Sequence, residues 1–474
     1  MTTYIFLKEL QNYLLNRSIL FTYGVIIVLF VLNASIYMFQ CQDVNQKHEN
    51  NVAMNYRSMI YDEESLIITG EEVIKTLPDM VTLRQKIHNR PSSLSFMSTT
   101  ADGIVPDGVS MQMLEEPDFE NFAQYNPHIN PYLSIDWTSL MIYLISFLCI
   151  CFSYNAFSGE REDGTLKLML SNSMSRSAII FAKYFGLLVV FLIPVFIGIM
   201  ISCLIFEISP VVHLTSADYA KIAWFFFVSV LMISLTIMLG FFVSSLTKNS
   251  YVSLIICLLC WTLLAIVIPN ISCIISAQTN KISTATAIYQ EEEQQKKALQ
   301  DCYLGWKGNN TTEKDARDRK DCVDRRTVIH NSLWSNYHNM QMAQTNRAIE
   351  LSKISPFGMF RFLGDKISGN NFYGYVDFFN QVKNYQMTYQ NYVVSKDNAD
   401  PESRHLFWNE WKGFYENSMS KQQIVPGEVP QFNAHSKNFR ELAADSIGDL
   451  AILCFWVIGL FVLSFVTFVR YDVR

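Results

Sequence analysis

The residues of this chain best suited to do chemistry form one dense polar segment between two long apolar runs. Eight of them are consecutive: Gly159, Glu160, Arg161, Glu162, Asp163, Gly164, Thr165 and Leu166. Met169, Leu170 and Arg176 follow before the next apolar run. The mixed charges offer electrostatic complementarity to a partner, and the apolar residues offer a ridge that fits a cleft. We interpret this segment as a protein-docking surface; the alternative is a solvated loop whose basic residues only set membrane topology.

Other kinds of chemistry find little support in the sequence. The chain has no GxxxxGK(S/T) phosphate-binding loop for ATP hydrolysis, and it has neither HExxH nor GxSxG for a hydrolase. His330 and His338 flank Trp334 at a spacing that does not place the two histidines on one metal-binding face, so we expect no metal site. Cys302 and Cys322 are the pair that a disulfide would join in an oxidising compartment, but the sequence leaves this pairing open.

Six apolar runs must position the polar segment, and they cover residues 19–39, 137–157, 184–206, 222–246, 251–276 and 450–469. The chain is 50% hydrophobic and only 17% charged, which is too apolar for an ordinary soluble enzyme. Each run is close to the ~20 residues that cross a bilayer as a helix. None contains Asp, Glu, Lys, Arg or His, which ion-coupled carriers usually need at depth, so energy for any transport must come from elsewhere.

Basic residues near the span ends indicate which ends lie in the cytosol. Nine Lys or Arg residues lie in four segments on one side, 1–18, 158–183, 247–250 and 470–474. The short loop 207–221 on the other side carries only Lys221, so the first side is cytosolic and both termini lie inside. The rest of the chain is acidic, since the whole has a net charge of −6, and this argues against nucleic-acid binding. We expect no cleaved signal peptide, because the first apolar run is too long for one.

Two long segments, 40–136 and 277–449, lie on the outer side and together exceed half the chain. The sequence therefore predicts an all-α integral membrane protein with six transmembrane helices and a large, mostly helical extracytoplasmic domain. Helices are predicted over 284–300, 313–352, 374–395 and 401–417, the last opened by Pro401 and rich in aromatic residues such as Phe407, Trp408 and Trp411.

Two further features concern the membrane part. Residues 4–15 have one apolar face and predict an amphipathic helix on the inner membrane surface. Gly198 and Gly240 lie within spans and are candidates for close helix contacts.

Residues 159–166, with Leu168, Leu170, Ser175-Arg176 and Lys183 after them, resemble the signature of ABC-2 type transporter permeases. The segment lies where that family has it, on the cytosolic loop between spans two and three. The six spans and the amphipathic amino-terminal helix are also similar to the family. The stretch 355–360, Ser-Pro-Phe-Gly-Met-Phe, resembles a subgroup with large extracytoplasmic insertions.

The resemblance implies a half-transporter, multi-pass in a bacterial cytoplasmic (inner) membrane and in contact with its lipids. Two permease copies, or this chain and a homologue, would form the membrane pathway. Two separate ATPase subunits would bind ATP and magnesium, while this chain would bind no cofactor. Residues 159–171 would be the main ATPase contact, and Thr247, Lys248 and Asn249 in the second inner loop a minor one. The implied function is export of a peptide, a lipid-like molecule or another envelope substrate.

Two other functions stay open at the level of sequence. The size of the outer domain is compatible with a mechanical transmitter, which would use the ATPase to act on an envelope partner without translocation. A non-transport receptor or scaffold would instead use the cytosolic loop to bind some other protein. A continuous cavity between the spans would argue against the first function, and co-purification of a phosphate-loop ATPase against the second.

Overall fold

A computed structural model describes residues 2–15, 17–62, 72–99, 108–119, 136–165, 175–299, 313–406, 418–435 and 437–470. The predicted fold class is confirmed, because the described part is mostly helical and includes six helices long and apolar enough to cross a membrane. These spans are α2 (Arg17–Ile60), α4 (Trp137–Glu162), α5 (Arg176–Ile208), α6 (Ser216–Leu246), α7 (Ser250–Thr279) and α12 (Phe439–Val469).

The other helices are α1 (Thr2–Leu14), α3 (Leu77–Thr82), α8 (Ala285–Ala298), α9 (Glu313–Ser352), α10 (Pro356–Ser368) and α11 (Phe372–Asn398). The strands are β1 (Gln85–His88), β2 (Gly108–Met111) and β3 (Asp118–Phe119). They form one small antiparallel sheet in the order β1-β2-β3, with Ile87 opposite Val109 and Val109 opposite Phe119. Spans α4 and α7 each contain a π-helical turn, at Leu140–Ile145 and Leu263–Val267 respectively.

Helix α6 forms the centre of the bundle. Of its most apolar 18 residues 72% are buried, against 28% for α2, 22% for α12 and 17% for α7, whose apolar side chains face outwards. It packs against α4, α5 and α12. Polar caps fix where the spans begin: Thr215 and Asp218 form a capping box at α6, Ser175 caps α5 and Asn249 caps α7.

Both glycines singled out in the sequence lie at close helix contacts, as predicted. A Cβ added at Gly240 of α6 would lie 1.9 Å from Ser153 Oγ of α4, and one added at Gly198 of α5 would lie 2.9 Å from Phe30 Cγ of α2. Neither distance is compatible with a real side chain. The absence of a Cβ thus lets α4 approach the central helix closely.

We expect Gly240→Ala to destabilise the bundle, although alanine is the better helix former. Overpacking at such a contact costs about 1–3 kcal/mol, which exceeds the ~0.5–1 kcal/mol gained in helix propensity. Gly459→Ala in α12 is the matched control, because nothing lies within 4 Å of a Cβ added there. Thermal unfolding in detergent compares the two variants, and equal melting temperatures would contradict the close contact.

At the end of the bundle opposite the chain termini, α3, β1–β3, α8, α9 and α11 build a second unit, which we call the distal domain. Phe378, Val382, Tyr385 and Tyr389 of α11 are buried in its core, so the predicted helix over 374–395 and its apolar face are confirmed. The Tyr389 hydroxyl donates a hydrogen bond to the Met80 carbonyl at 3.1 Å and thereby connects α11 to α3. The predicted helices over 284–300 and 313–352 correspond to α8 and α9.

The predicted helix over 401–417 is wrong at its start. Helix α11 ends at Asn398, residues 401–406 are not helical, and His405 has a left-handed φ of 56°. The physical reason is Asp397, a fully buried carboxylate that accepts hydrogen bonds from Ser403 Oγ at 2.8 Å and from the Ser420 amide at 2.7 Å. These bonds hold the chain in a turn. The aromatic part of the predicted helix, 407–417, lies outside the described residues.

The predicted disulfide is not tested by the structure. Cys322 lies on α9 and is buried, whereas Cys302 lies outside the described residues. Its pairing with Cys322 therefore stays a prediction.

Glu292 of α8 joins that helix to α9 in the distal domain. Its Oε1 lies 2.8 Å from His330 Nδ1, and its Oε2 accepts a hydrogen bond from Trp334 Nε1 at 2.9 Å. Burial by itself raises the pKa of Glu292, but hydrogen bonds from Lys296, Trp334 and His330 outweigh it and lower the pKa to about 2. His330 and Trp334 thus have a structural role at the contact between α8 and α9.

We expect acid to destabilise the α8–α9 contact through Glu292. A carboxyl group with a depressed pKa contributes stability that is fully present above its ordinary value of 4.5 and is lost as the pH falls through about 2. Glu292→Gln should flatten the pH dependence of thermal unfolding below about pH 5. Glu293→Gln, at an exposed neighbouring position, should keep the wild-type slope. Identical slopes in all of these proteins would contradict the assignment.

Candidate functional site

The polar segment singled out in the sequence forms the end of α4, at the same end of the bundle as both chain termini. Residues Ser158–Glu162 are helical, and Gly164 follows with a left-handed φ of 70°. The backbone amides of Phe157 and Ser158 both donate to Ser244 Oγ of α6, at 3.0 Å each. The start of the segment is therefore fixed to the central helix, and this orients the charged side chains that follow.

Lys183 is the buried centre of the first group of charges, which we call the Lys183 cluster (Glu9, Glu160 and Lys183). Its side chain is 5% exposed, and its Nζ lies 2.6 Å from Glu160 Oε1 and 3.2 Å from Glu9 Oε1. A buried ammonium group is tolerated only when it is paired and hydrogen-bonded. Because the three residues come from α5, α4 and α1, the cluster joins two spans to the amino-terminal helix.

Arg161 forms a second connection, which we call the Arg161 clamp. Its Nη1 donates to the Thr247 carbonyl at 2.6 Å, and its Nη2 donates to the Ser245 carbonyl at 2.8 Å. These carbonyls belong to the last turn of α6 and the residue after it, where a helix has no partners for its own carbonyl groups and favours a cation. The planar fork of the guanidinium reaches both oxygens at once. The clamp thus ties the first loop to the second.

Three more contacts extend these connections to α7 and α12. Ser250 Oγ donates to Glu162 Oε2 at 2.6 Å, and Ser253 Oγ donates to the Tyr154 carbonyl at 2.6 Å, so α7 is attached to α4. Arg176 Nη1 donates to the Val469 carbonyl at 2.6 Å and attaches α5 to the end of α12. The polar segment at the end of α4 is therefore bonded directly to α5, α6 and α7, and through α5 to α12.

The structure divides the predicted docking residues into inward-facing and exposed ones. Glu160 and Arg161 are half-buried and face the protein, where Lys183 and two carbonyls bind them, so their part in binding a partner stays a prediction. Thr247 is buried and donates to the Val243 carbonyl. The exposed residues are Glu162, Asp163, Gly164, Thr165, Lys248 and Asn249. Leu166, Met169 and Leu170 lie outside the described residues, so the apolar ridge stays a prediction.

Sequence reasoning missed the parts played by Glu9 and Lys183. In the sequence, Glu9 lies within the amphipathic stretch 4–15, and Lys183 is one residue of the resemblance to the permease signature or, in the alternative, a basic residue that sets topology. Their charge next to apolar runs was the available signal, but their pairing depends on packing between α1 and α5. Within the described ranges no group of three or more His, Cys, Asp or Glu side chains could hold a metal ion.

Comparison with known proteins gives one match that covers nearly the whole chain. The family model described as ABC-2 family transporter protein matches residues 3–473. No curated protein matches the chain. The family is a membrane component rather than the ATPase, which agrees with the six spans, and it implies an ATPase in a partner subunit. The chain therefore belongs to the ABC-2 family of transporter proteins, as a multi-pass permease subunit of an ABC transporter.

Proposed function

We propose that this permease couples to its ATPase through the exposed end of the polar segment, and that the Lys183 cluster and the Arg161 clamp pass the resulting movement to the spans. The observation that carries the proposal is that Glu160 and Arg161, adjacent in sequence, bind two different elements, α5 through Lys183 and the end of α6. Lys183 in turn binds Glu9 of α1. A segment attached in this way cannot move alone, so a push on it displaces the spans together.

The docking surface itself consists of residues that the protein does not cover. Asp163 and Thr165 are exposed beyond the end of the short helix, and Lys248 and Asn249 are exposed on the loop between α6 and α7. The Arg161 clamp places the two loops side by side, so one partner can reach both. The apolar ridge predicted from the sequence, Leu166, Met169 and Leu170, would complete this surface. Its side chains would act as the apolar anchors that are typical of the centre of an interface.

The membrane, the second subunit and the cargo are further parts of this proposal. The membrane would be a bacterial inner membrane, as the family resemblance implies, and both termini would lie in the cytosol, because the basic residues near the span ends concentrate on that side. A second permease copy or a homologue would complete the pathway, and ATP and magnesium would bind in the ATPase. Spans without ionisable residues in their interiors favour an apolar or peptide-like cargo that moves outwards. The distal domain would receive the cargo or an envelope partner.

A mechanical role without translocation is the second candidate function. The size of the distal domain supports it, because that domain has its own core and a helix of 40 residues, α9. In this case the coupling through the polar segment would be the same, and the output would be a movement of the distal domain.

Charge reversal at the exposed residues tests the docking surface. The double variant Asp163→Arg, Lys248→Glu should lose the ATPase that co-purifies with the wild-type chain from its native host in mild detergent. The control is the reversal of an exposed residue in the distal domain, Glu293→Arg, which should retain the ATPase in stoichiometric amount. Retention of the ATPase by the double variant would contradict the proposed surface. A wild-type preparation that keeps other membrane complexes but has no ATPase would contradict the function.

A further inference from the structure

Helix α10 lies among the distal ends of four spans. It packs against the start of α4, against α6, against the π-helical turn of α7 and against α12. Phe357, Phe360 and Leu363 are 1%, 0% and 0% exposed, so its apolar face is completely enclosed by the bundle. A Cβ added at Gly364 would lie 2.4 Å from Thr138 Oγ1, which shows how closely α10 approaches α4. The helix thus fills the space between the spans at this end.

The polar contacts of α10 fall into two sets, and the first set attaches it to α4. Ser98 pairs with Asp365, and Asn370 Nδ2 donates to Ser95 Oγ at 2.8 Å, so residues 92–99 hold the carboxyl-terminal end of α10. The amide of Thr138 donates to the Met97 carbonyl at 3.0 Å, which attaches the same stretch to the start of α4. Helix α10 and the start of α4 therefore form one unit.

The second set attaches α10 to α12 and is centred on one carboxylate. Asp449 of α12 is 14% exposed and lies 3.1 Å from Lys366 Nζ and 3.4 Å from Lys353 Nζ. Lys353, just after α9, also lies 3.9 Å from the centre of the Phe362 ring and so makes a cation–π contact with α10. Lys366 donates a further bond to the Asp445 carbonyl at 2.5 Å. Asp449 is thus the charged group of α12 on which both lysines converge.

The other end of α10 is attached to α7. Ser355 Oγ donates to the Leu264 carbonyl of α7 at 2.5 Å, within the π-helical turn. A π-helical turn disturbs the regular carbonyl-to-amide pairing of a helix and often marks a functional position. Span α4 has its own π-helical turn at Leu140–Ile145, also against α10. Both α4 and α7, which flank α10, therefore have a π-helical turn where their backbone hydrogen-bond pattern can rearrange.

We propose that α10 is a movable plug that closes the distal end of the bundle, and that Asp449 is the positioning residue that holds it closed through Lys353 and Lys366. Release of the two lysines from Asp449 would weaken the attachment of α12 to the unit of α10 and α4, while Ser355 keeps α10 attached to α7. The enclosed apolar face would then line the opening, in keeping with the six apolar runs, which contain no charged residue. The claim that ATP drives this opening rests on the proposed coupling function; the claim that Asp449 holds α10 does not.

Hydrogen exchange of peptides from α10, read by mass spectrometry on the purified complex, tests the plug. Without ATP, Asp449→Asn should raise exchange in α10 about tenfold, a loss of protection that corresponds to about 1.4 kcal/mol of local opening. Asp449→Glu, which keeps the charge, should restore slow exchange. Asp445→Asn is the matched control, because Asp445 lies one turn earlier on α12 and its side chain forms an exposed pair with Lys437.

Two outcomes would overturn the proposal. One is unchanged exchange in α10 of the Asp449→Asn variant. The other is an equal increase in α6, the centre of the bundle, because this would indicate a general loss of stability. A separate arm traps the wild-type complex with ATP and vanadate, and we expect faster exchange in α10. A different result is that trapping leaves exchange in α10 of the wild type unchanged while Asp449→Asn raises it. That result would overturn ATP-driven coupling and support the role of Asp449 in holding α10.

Discussion

Lys183→Met is expected to destabilise the protein strongly and to abolish the stimulation of ATP hydrolysis by the permease. The substitution leaves the carboxylates of Glu9 and Glu160 without the cation that lies 3.2 and 2.6 Å from them. Removing one partner of a buried ion pair costs about 3–5 kcal/mol, because the remaining charge stays buried and uncompensated. The connection between α1, α4 and α5 would also be lost. Thermal unfolding of the purified chain measures the first effect, and stimulation of ATP hydrolysis by the permease measures the second.

A triple variant separates stability from coupling at the Lys183 cluster. Glu9→Gln, Glu160→Gln and Lys183→Met together leave no buried charge, and neutral replacement of a whole ion cluster is often close to neutral in stability. We expect the triple variant to recover most of the lost melting temperature but little of the ATPase stimulation. Lys248→Met, at an exposed position, is the control and should unfold like the wild type. Full stimulation in the triple variant would contradict a coupling role for the cluster.

Arg161→Ala is expected to uncouple the complex while the ATPase stays bound. The variant loses two charge-assisted hydrogen bonds, to the carbonyls of Thr247 and Ser245, each worth about 1.5–3 kcal/mol. The two loops would then move independently, and we expect ATPase stimulation to fall about tenfold or more, since 1.36 kcal/mol corresponds to a factor of ten. Arg161→Lys should behave almost like Arg161→Ala, because a single ammonium group cannot reach both oxygens in the fork geometry.

The control for Arg161 is the docking variant at Asp163 and Lys248, which should have the opposite phenotype. Loss of the bound ATPase in that variant, with retention in Arg161→Ala, would show that docking and transmission use different residues. If Arg161→Ala lost the ATPase as completely as the docking variant, Arg161 would act in docking, as its charge first suggested. Quantitative mass spectrometry of the co-purified subunits distinguishes these results.

The sequence predicted the membrane part of the fold well, because hydropathy and helix length depend on local composition. The helices themselves extend further than the apolar runs: α2 continues to Ile60, since its polar second half is also helix-forming. Prediction failed at Pro401, where a local proline and an aromatic pattern favoured a helix. A buried carboxylate, Asp397, overrides that preference through bonds to Ser403 and to Ser420, which lies 23 residues away, and a periodicity argument contains no such contact.

At the candidate site the sequence identified the segment but not the direction of its side chains. Glu160 and Arg161 looked like surface charges because they lie between two spans in a charged run. Their partners, Lys183 and the carbonyls at the end of α6, belong to other elements and come together only when the helices pack. Backbone carbonyls leave no trace in a sequence pattern. The exposed residues Asp163 and Lys248, in contrast, are where the sequence placed them.

The most direct test of the account compares ATP-dependent movement in the wild-type and Arg161→Ala complexes, both with the ATPase bound. Hydrogen exchange at the distal ends of α4, α6 and α12 is measured without nucleotide and after trapping with ATP and vanadate. We expect trapping to change exchange at these distal ends in the wild type and to leave it unchanged in Arg161→Ala. A change of the same size in both complexes would contradict transmission through the Arg161 clamp.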